Sequence, residues 1–297
     1  MTQPPAVSVV VPARDGAGVL PRLMRALADQ TLGRRQFEVV VVSNGSRDRT
    51  AAIARGWGAV AVEDAVGNRS RARNLGAARA RAGLLAFTDV DCVPAPGWLE
   101  GLLACRGRAP LTAGWVHVST GSPPNGVERF EMLWRFSQEA WVAQGWAATA
   151  NLAVERSAFE AVGGFDPAYR QIGEDVDFCL RARAGGLALA YCADAVVHHD
   201  PDDRIAPLLS RFYRHGYGTT QLHRRLGAGY DAWRRPQALL GDEPLRLLGL
   251  AERSFATGER RRMLRLARMG YAARMAGSLA AEAHERVPRR SDAAPPG

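Results

Sequence analysis

The 297-residue chain predicts an α/β fold, a mainly parallel sheet flanked by helices, on two observations. Short apolar, β-branched runs alternate with helix-spaced segments through the first hundred residues, as right-handed crossovers between parallel strands require. Polar turns follow the carboxyl ends of those runs, most sharply where Leu84-Leu85-Ala86-Phe87-Thr88 gives way to Asp89-Val90-Asp91. In open α/β sheets ligands bind at that edge. Alternate residues of an extended segment point the same way, so Asp89 and Asp91 can share one ligand, and a hard divalent cation carrying a diphosphate suits two carboxylates. A bare Asp-x-Asp is also what a solvated loop contains, so the rest of the chain has to decide.

Taken in order, Ala6 to Val11 is a first buried strand ended by Pro12, followed by the turn Ala13-Arg14-Asp15-Gly16. Leu20, Leu23, Met24 and Leu27 give Val19 to Gln30 helical spacing. Phe37 to Val42 is a second strand, Ser43-Asn44-Gly45-Ser46 its turn, and Thr50 to Gly56 a helix. Ala59 to Val62, Ser70 to Arg81 and Leu84 to Thr88 read as strand, helix and strand. Beyond a Pro- and Gly-rich turn, Leu99 to Cys105 is a short helix and Thr112 to Ser119 a strand. Glu128 to Gln144 reads as one helix carrying Phe130, Trp134, Phe136 and Trp141, with Trp146 beyond it. Such aromatics form core more often than a sugar platform, although their place before the next polar cluster suits an acceptor cleft.

Two further polar clusters follow. Gly173-Glu174-Asp175-Val176-Asp177 opens a helix with acids in its first turn, where acids ordinarily serve as dipole partners and caps. His198-His199 follows the strand-like Leu187 to Ala193 and its turn, and adjacent histidines by themselves say little about metal. Neither a Gly-x-Gly-x-x-Gly after the first strand nor a Gly-x-x-x-x-Gly-Lys is present, which argues against a dinucleotide fold of the usual kind and a P-loop.

Composition excludes other classes. A formal charge of +9 with pI about 10.2 fits nucleic acid, an anionic membrane or phosphorylated substrates. Every one of the 39 basic residues is Arg, scattered rather than gathered, which disfavours a nucleic-acid surface. The widely spaced Cys92, Cys105, Cys179 and Cys192 suggest neither zinc site nor disulfide framework and fit a reducing compartment. No apolar segment approaches the roughly 18 residues of a membrane span. The expected location is cytoplasmic, or peripheral on the inner face of a membrane.

In order and spacing, the chain resembles a family 2 glycosyltransferase with the GT-A fold, over roughly Val7 to Gly218. The matching pieces are Val9-Val10-Val11-Pro12, Ser43-Asn44-Gly45-Ser46-Arg47-Asp48-Arg49-Thr50, Ala72-Arg73-Asn74-Leu75-Gly76, Thr88-Asp89-Val90-Asp91, Ala150-Asn151-Leu152-Ala153-Val154, Gly163-Gly164-Phe165-Asp166, Gly173-Glu174-Asp175-Val176-Asp177 and Val197-His198-His199. The resemblance implies a Rossmann-like nucleotide-diphospho-sugar transferase with a mixed, mainly parallel sheet. It further implies inverting, metal-dependent transfer from a UDP-, dTDP- or GDP-sugar to a hydroxyl of a sugar, lipid-linked or small-molecule acceptor. In its terms Asp91 ligates Mg²⁺ or Mn²⁺, Asp89 lies against the ribose or a metal water, and His199 completes the metal site. Asp175 is the base with Glu174 as runner-up, and Pro12, Arg14, Ser43 and Arg73 surround the nucleotide. Ser43 stands where such enzymes usually carry an Asp, and Arg14 where an aromatic is common, so the base of the donor stays open. The basic segment Arg211 to Gly218 resembles a helix that helps neutralise the diphosphate.

The implied division is a transferase domain over residues 1–228, with a nucleotide-binding part to about 105 and an acceptor part after it, and a helical extension over 229–297. In that extension Leu239 to Leu250 and Arg260 to Ala281 read as helices, the second either packing on the catalytic domain or lying on an anionic membrane. The tail after Val287 has a disordered composition. The rival readings are a catalytically silent sugar-nucleotide-binding relative and, less favoured, a nucleic-acid-binding protein.

Overall fold

The computed structural model describes residues 4–120, 122–226 and 255–285, together with Leu245, Leu248, Leu250 and Arg253. Contacts divide the chain into two compact units. The first comprises residues 1–122, 135–170 and 174–201 and holds the whole described sheet. Its strands are β1 (Val7–Ala13), β2 (Phe37–Asn44), β3 (Val60–Asp64), β4 (Leu84–Phe87), β5 (Cys92–Pro94), β6 (Leu111–Val118), β7 (Leu152–Glu155) and β8 (Leu189–His199). They are ordered β3-β2-β1-β4-β7-β6-β8-β5. β3, β2, β1 and β4 run parallel, β7 lies antiparallel to both neighbours, and β5 is antiparallel to β8.

β1 and β2 are buried along their whole lengths because helices cover both faces. Val7, Val9 and Val11 enter the core beneath α1 (Leu20–Ala28), whereas Val10, Val40 and Val42 enter the one beneath α3 (Arg69–Arg79). α3 approaches so closely that a methyl group at Gly76 would collide with Val10. α2 (Thr50–Gly56) and α4 (Trp98–Cys105) complete the first half, and α1 to α4 begin and end close to the expected bounds.

Three expectations need correction. The helix read over Glu128 to Gln144 is two helices, α5 (Gly126–Trp134) and α6 (Gln138–Ala143). Apolar spacing runs through both, but they belong to different units: Phe130 joins the core of the second unit, while Gln138, in the first, is buried and bonded to the backbone of Ala148. The strand ending near Ala193 continues to His199, so both histidines lie within β8 rather than after a turn. A register shift against β6 absorbs residues 193–195 where Gly114, without a side chain, lets the Ala195 carbonyl in. Finally, Cys105 and Cys192 form a disulfide across a sequence separation of 87. Sequence spacing hid it because Gly101 brings α4 directly onto the backbone of β8 at Ala195. Cys92 and Cys179 are free and buried.

After β7 come α7 (Arg156–Val162) and α8 (Glu174–Ala184). The second unit comprises residues 123–134, 171–173 and 202–297, and its described core joins α5, α9 (Ile205–Leu226) and α10 (Thr257–Glu285). Substituting a side chain at Gly216 would strike the Arg274 carbonyl, and at Gly277 the Tyr213 carbonyl, so α9 and α10 cross in backbone contact. The helix expected over Arg260 to Ala281 lies within α10. The expected helix Leu239 to Leu250, but for three of its residues, and the tail after Val287 lie outside the described residues. Among the described residues no helix is long and apolar enough to cross a membrane.

Candidate functional site

Parallel strands bring the carboxyl ends of β1, β2, β3 and β4 to one edge. The first two turns are stapled together there. Gly16 N–H donates to Thr50 Oγ1 at 2.8 Å, Ala17 N–H to Asp48 Oδ2 at 2.9 Å and Arg47 N–H to Asp15 Oδ1 at 2.8 Å. Asp15 adopts φ +48, which its carboxylate bond to the facing turn offsets. The hydrogen bonds from Thr50 and Ala17 hold the Asp48 carboxyl below its usual range. Thus much of Ser43-Asn44-Gly45-Ser46-Arg47-Asp48-Arg49-Thr50 builds the rim. Pro12 and Ser43 are buried in the strand ends, and the exposed Arg14 extends its guanidinium over Gly67.

Asp89 follows β4 and meets Arg73 of α3, which is 1% exposed. Arg73 Nη2 donates to Asp89 Oδ1 at 2.9 Å and Nη1 to Glu174 Oε1 at 2.7 Å, while its guanidinium lies 5.6 Å from the centroid of Phe165. Arg69, one turn earlier on the same helical face, is 3.6 Å from Glu174 Oε1. Burial pushes Asp89 up, and the guanidinium charges of Arg73 and Arg69 outweigh it, leaving that carboxyl below its ordinary range. Glu174 is more enclosed than Asp89, its side chain being 4% exposed against 32%. Asp175 is next in α8; burial first and the Glu174 charge second raise its pKa from 3.8 to about 7. That is where a general base can both take and release a proton. Asp177, the third acid of the segment, instead accepts from Tyr169 Oη at 3.1 Å and from Arg181 Nε at 2.8 Å and fastens the helix.

The exposed Asp91 lies 3.5 Å, Oδ2 to Nε2, from the buried His199. His199 Nδ1 faces the Asp200 carbonyl at 2.7 Å, which can only accept, so Nδ1 carries the proton and Nε2 the lone pair. Burial, then the Arg135 charge, pull His199 below its ordinary 6.5 and keep it neutral. Arg135 Nη2 donates to that lone pair at 3.0 Å. Asp91, Cys92 and His199 offer ligand atoms within 4.8 Å of one another. Burial drives the Cys92 thiol far above its usual range, so it stays protonated and unsuited to a hard cation. The oxygen donor of Asp91 and the imidazole of His199, its ring fixed by the carbonyl, fit Mg²⁺ or Mn²⁺ once Arg135 gives up the Nε2 lone pair that it occupies here.

The sequence-expected residues therefore assemble in two groups: Asp89, Arg73 and Glu174 in one chain of contacts, with Asp175 next to Glu174 in α8, and Asp91 with His199 beside it. Sequence reasoning missed Arg69 and Arg135. Arg69 could have been found four residues before Arg73 on one helix, whereas Arg135 stood inside what read as a continuous helix. Asn74, matched as a motif residue, clamps the loop before α8: its amide accepts from Phe165 N–H at 2.9 Å and donates to the Phe165 carbonyl at 2.8 Å. In the second unit Arg211 is ion-paired with Glu131 and Asp202.

Comparison with known proteins gives concordant matches. The model of the family "Glycosyl transferase family 2" matches residues 8–144, and that of "Glycosyl transferase family group 2" matches residues 131–274. Glycosyltransferase AglE of Haloferax volcanii is 31% identical over 232 residues, covering 73% of this chain and 74% of the relative. The pre-mycofactocin glycosyltransferase of Mycobacterium tuberculosis is 32% identical over 229 residues, 69% of this chain but only 45% of that longer relative. Among solved structures, the mannosyltransferase PcManGT of Pyrobaculum calidifontis, in complex with GDP-Man and Mn²⁺, superposes with a TM-score of 0.57 at 18% identity, over 97% of this chain and 77% of its own.

Proposed function

Given that this chain belongs to glycosyl transferase family 2 and is a glycosyltransferase with the GT-A fold, we propose that it moves a sugar from a UDP-, dTDP- or GDP-sugar to an acceptor hydroxyl with inversion. The acceptor class is a sugar, a lipid-linked sugar or a small molecule. The observation that carries the reading is the contact chain Asp89–Arg73–Glu174, with Asp175 next in sequence, which ties the strand-end acid to a carboxyl titrating at about 7.

In this reading Asp91 and His199, with Asp89 alongside, hold Mg²⁺ or Mn²⁺, which supplies Lewis-acid neutralisation of the departing diphosphate. Asp175 accepts the acceptor hydroxyl's proton. Glu174, fixed by Arg73 and Arg69, keeps negative charge beside Asp175 and thereby raises its basicity. One carboxylate acting as base, with none acting as nucleophile, gives a single displacement. Pro12, Arg14 and Ser43 line the nucleotide side of the same edge. The transferase domain spans residues 1–228 and the extension 229–297. The arginines of α10, such as Arg261 and Arg265, support contact with an anionic membrane face. A cytoplasmic location belongs to the same reading, although the Cys105–Cys192 disulfide removes the support that the cysteine spacing lent to a reducing compartment.

The test is thermal shift with nucleoside diphosphates and nucleotide sugars, with and without Mn²⁺, since a ligand that binds the folded state alone raises its melting temperature. Stabilisation by a UDP-, dTDP- or GDP-sugar that grows with Mn²⁺ is expected. If none stabilises under either condition, the donor assignment fails.

A further inference from the structure

Ser43 leaves the nucleotide edge without the acid that the family resemblance leads one to expect at the end of β2. A different acid stands one strand away. Asp64 closes β3 and is the register partner of Asn44, the residue after Ser43, so the two neighbours end adjacent parallel strands. The Asp64 side chain is 5% exposed. Its Oδ1 accepts from Arg71 Nε at 3.0 Å, but its Oδ2 has no hydrogen-bond partner among the described residues. Asn44 Oδ1 is in the same condition. The backbone around them is tight: Gly45 N–H donates to the Asp64 carbonyl at 2.6 Å, and a Cβ built on Gly45, at φ +68, would sit 3.2 Å from Gly67 Cα. Arg14, extended over Gly67, covers the same loop.

A buried carboxylate oxygen lacking a donor is among the costlier defects a fold can carry, and it persists where a ligand, an ordered water or an ion supplies the donor. Beside it Asn44 offers a carboxamide, able to donate as well as accept. An acceptor-only carboxylate next to a carboxamide matches a base edge on which a ring N–H adjoins a carbonyl. Uracil, thymine and guanine have that edge. Cytosine and adenine present a ring nitrogen lone pair instead, which a carboxylate repels.

We propose that Asp64, seconded by Asn44, reads the ring N–H of the donor's base, doing from β3 what Ser43 cannot do from β2. This deepens the functional reading above and rests on it. It assigns the donor to the uracil, thymine and guanine class through a named residue, and it separates Asp64 from its other role as anchor of Arg71.

Titration calorimetry with UDP, dTDP, GDP, CDP and ADP in Mn²⁺, on the full chain and on Asp64→Asn, Asn44→Ala and Arg71→Met, tests it. The wild type should bind its preferred member of the first three at least about tenfold more tightly than CDP or ADP, a hydrogen-bonding site left unpaired by the wrong base being strongly selective. Asp64→Asn should shrink that ratio to within about threefold, partly by gaining CDP, because a carboxamide can donate to the cytosine ring nitrogen. Asn44→Ala should weaken the preferred nucleotide and leave CDP unchanged, a readout available even if Asp64→Asn does not fold. Arg71→Met should preserve the ratio. A wild type that binds CDP or ADP as tightly, an Asp64→Asn protein with its ratio intact, or an Arg71→Met protein that loses it would each overturn the assignment. Failure of the broader functional reading looks different: no nucleoside diphosphate then binds the wild type in a metal-dependent way.

Discussion

Arg73 donates to Glu174 Oε1 at 2.7 Å across a sequence separation of 101, although both side chains are almost wholly removed from solvent. Replacing Arg73 with Met leaves Glu174 without its closest counter-charge and Asp89 without its hydrogen-bonded partner. Breaking a buried pair by removing one member costs about 3–5 kcal/mol. Chemical denaturation should show a loss of that order. Removing the charge at both ends, in Arg73→Met with Glu174→Gln, should recover part of it, whereas two additive losses would mean that the contact carries no coupling.

The metal assignment is checked by calorimetry of a nucleoside diphosphate with and without Mn²⁺. Asp91→Asn preserves size and should abolish the metal-dependent increment, while His199→Ala, which removes a neutral ligand rather than a charge, should reduce it less. Full Mn²⁺ dependence in Asp91→Asn would exclude Asp91 as the ligand. A larger effect from His198→Ala than from His199→Ala would move the ligand role to the neighbouring position of β8.

Asp175→Asn keeps a polar side chain of the same shape without its basicity. Transfer to acceptor should fall by about 10² to 10⁴, the usual size of a general-base contribution, with donor affinity held within a few fold. Glu174→Gln should fall less. Single-turnover kinetics paired with donor titration decide the matter, and near-normal transfer by Asp175→Asn would assign the base elsewhere.

The pH response has a definite sign. Activity requires the deprotonated Asp175, so turnover should rise with pH through about 7. Stability from the same group moves the opposite way. The folded protein holds this proton above the ordinary 3.8, where the unfolded chain has released it, so its stabilising contribution is full below 3.8 and is lost as pH rises through about 7. Asp175→Asn should remove that component from a plot of stability against pH. Its persistence would show that another group titrates.

The first half of the chain was legible because β1, β2 and β4 are buried, largely apolar runs and α1 carries apolar residues at helical spacing. Arg73, Asp89, Asp91, Glu174, Asp175 and His199 could all be singled out from motifs, and the structure brings them to one region of the first unit. What could not be read depends on three-dimensional proximity. The break at Arg135 arises because α5 and α6 serve different cores. The continuation of β8 past Asp194 depends on Gly114 in another strand. The Cys105–Cys192 bond needed α4 to lie against β8. Asp64 carried no signal at all, since a single acid at a strand end looks like any turn residue until its unpaired oxygen is seen.

α3 has a consequence for how this sequence can change. Arg69 and Arg73 reach the site acids, Asn74 grips the loop at Phe165, and Gly76 admits Val10 of the central strand, all within eight residues. A helix turns about 100° per residue, from 3.6 residues per turn. Inserting or deleting one residue between Arg73 and Gly76 would rotate one set of contacts away while the other stayed in place. Substitution can be sampled position by position here, but length cannot. The stretch behaves as a fixed-gauge part, and relatives that keep this arrangement should tolerate indels on either side of α3 far sooner than inside it.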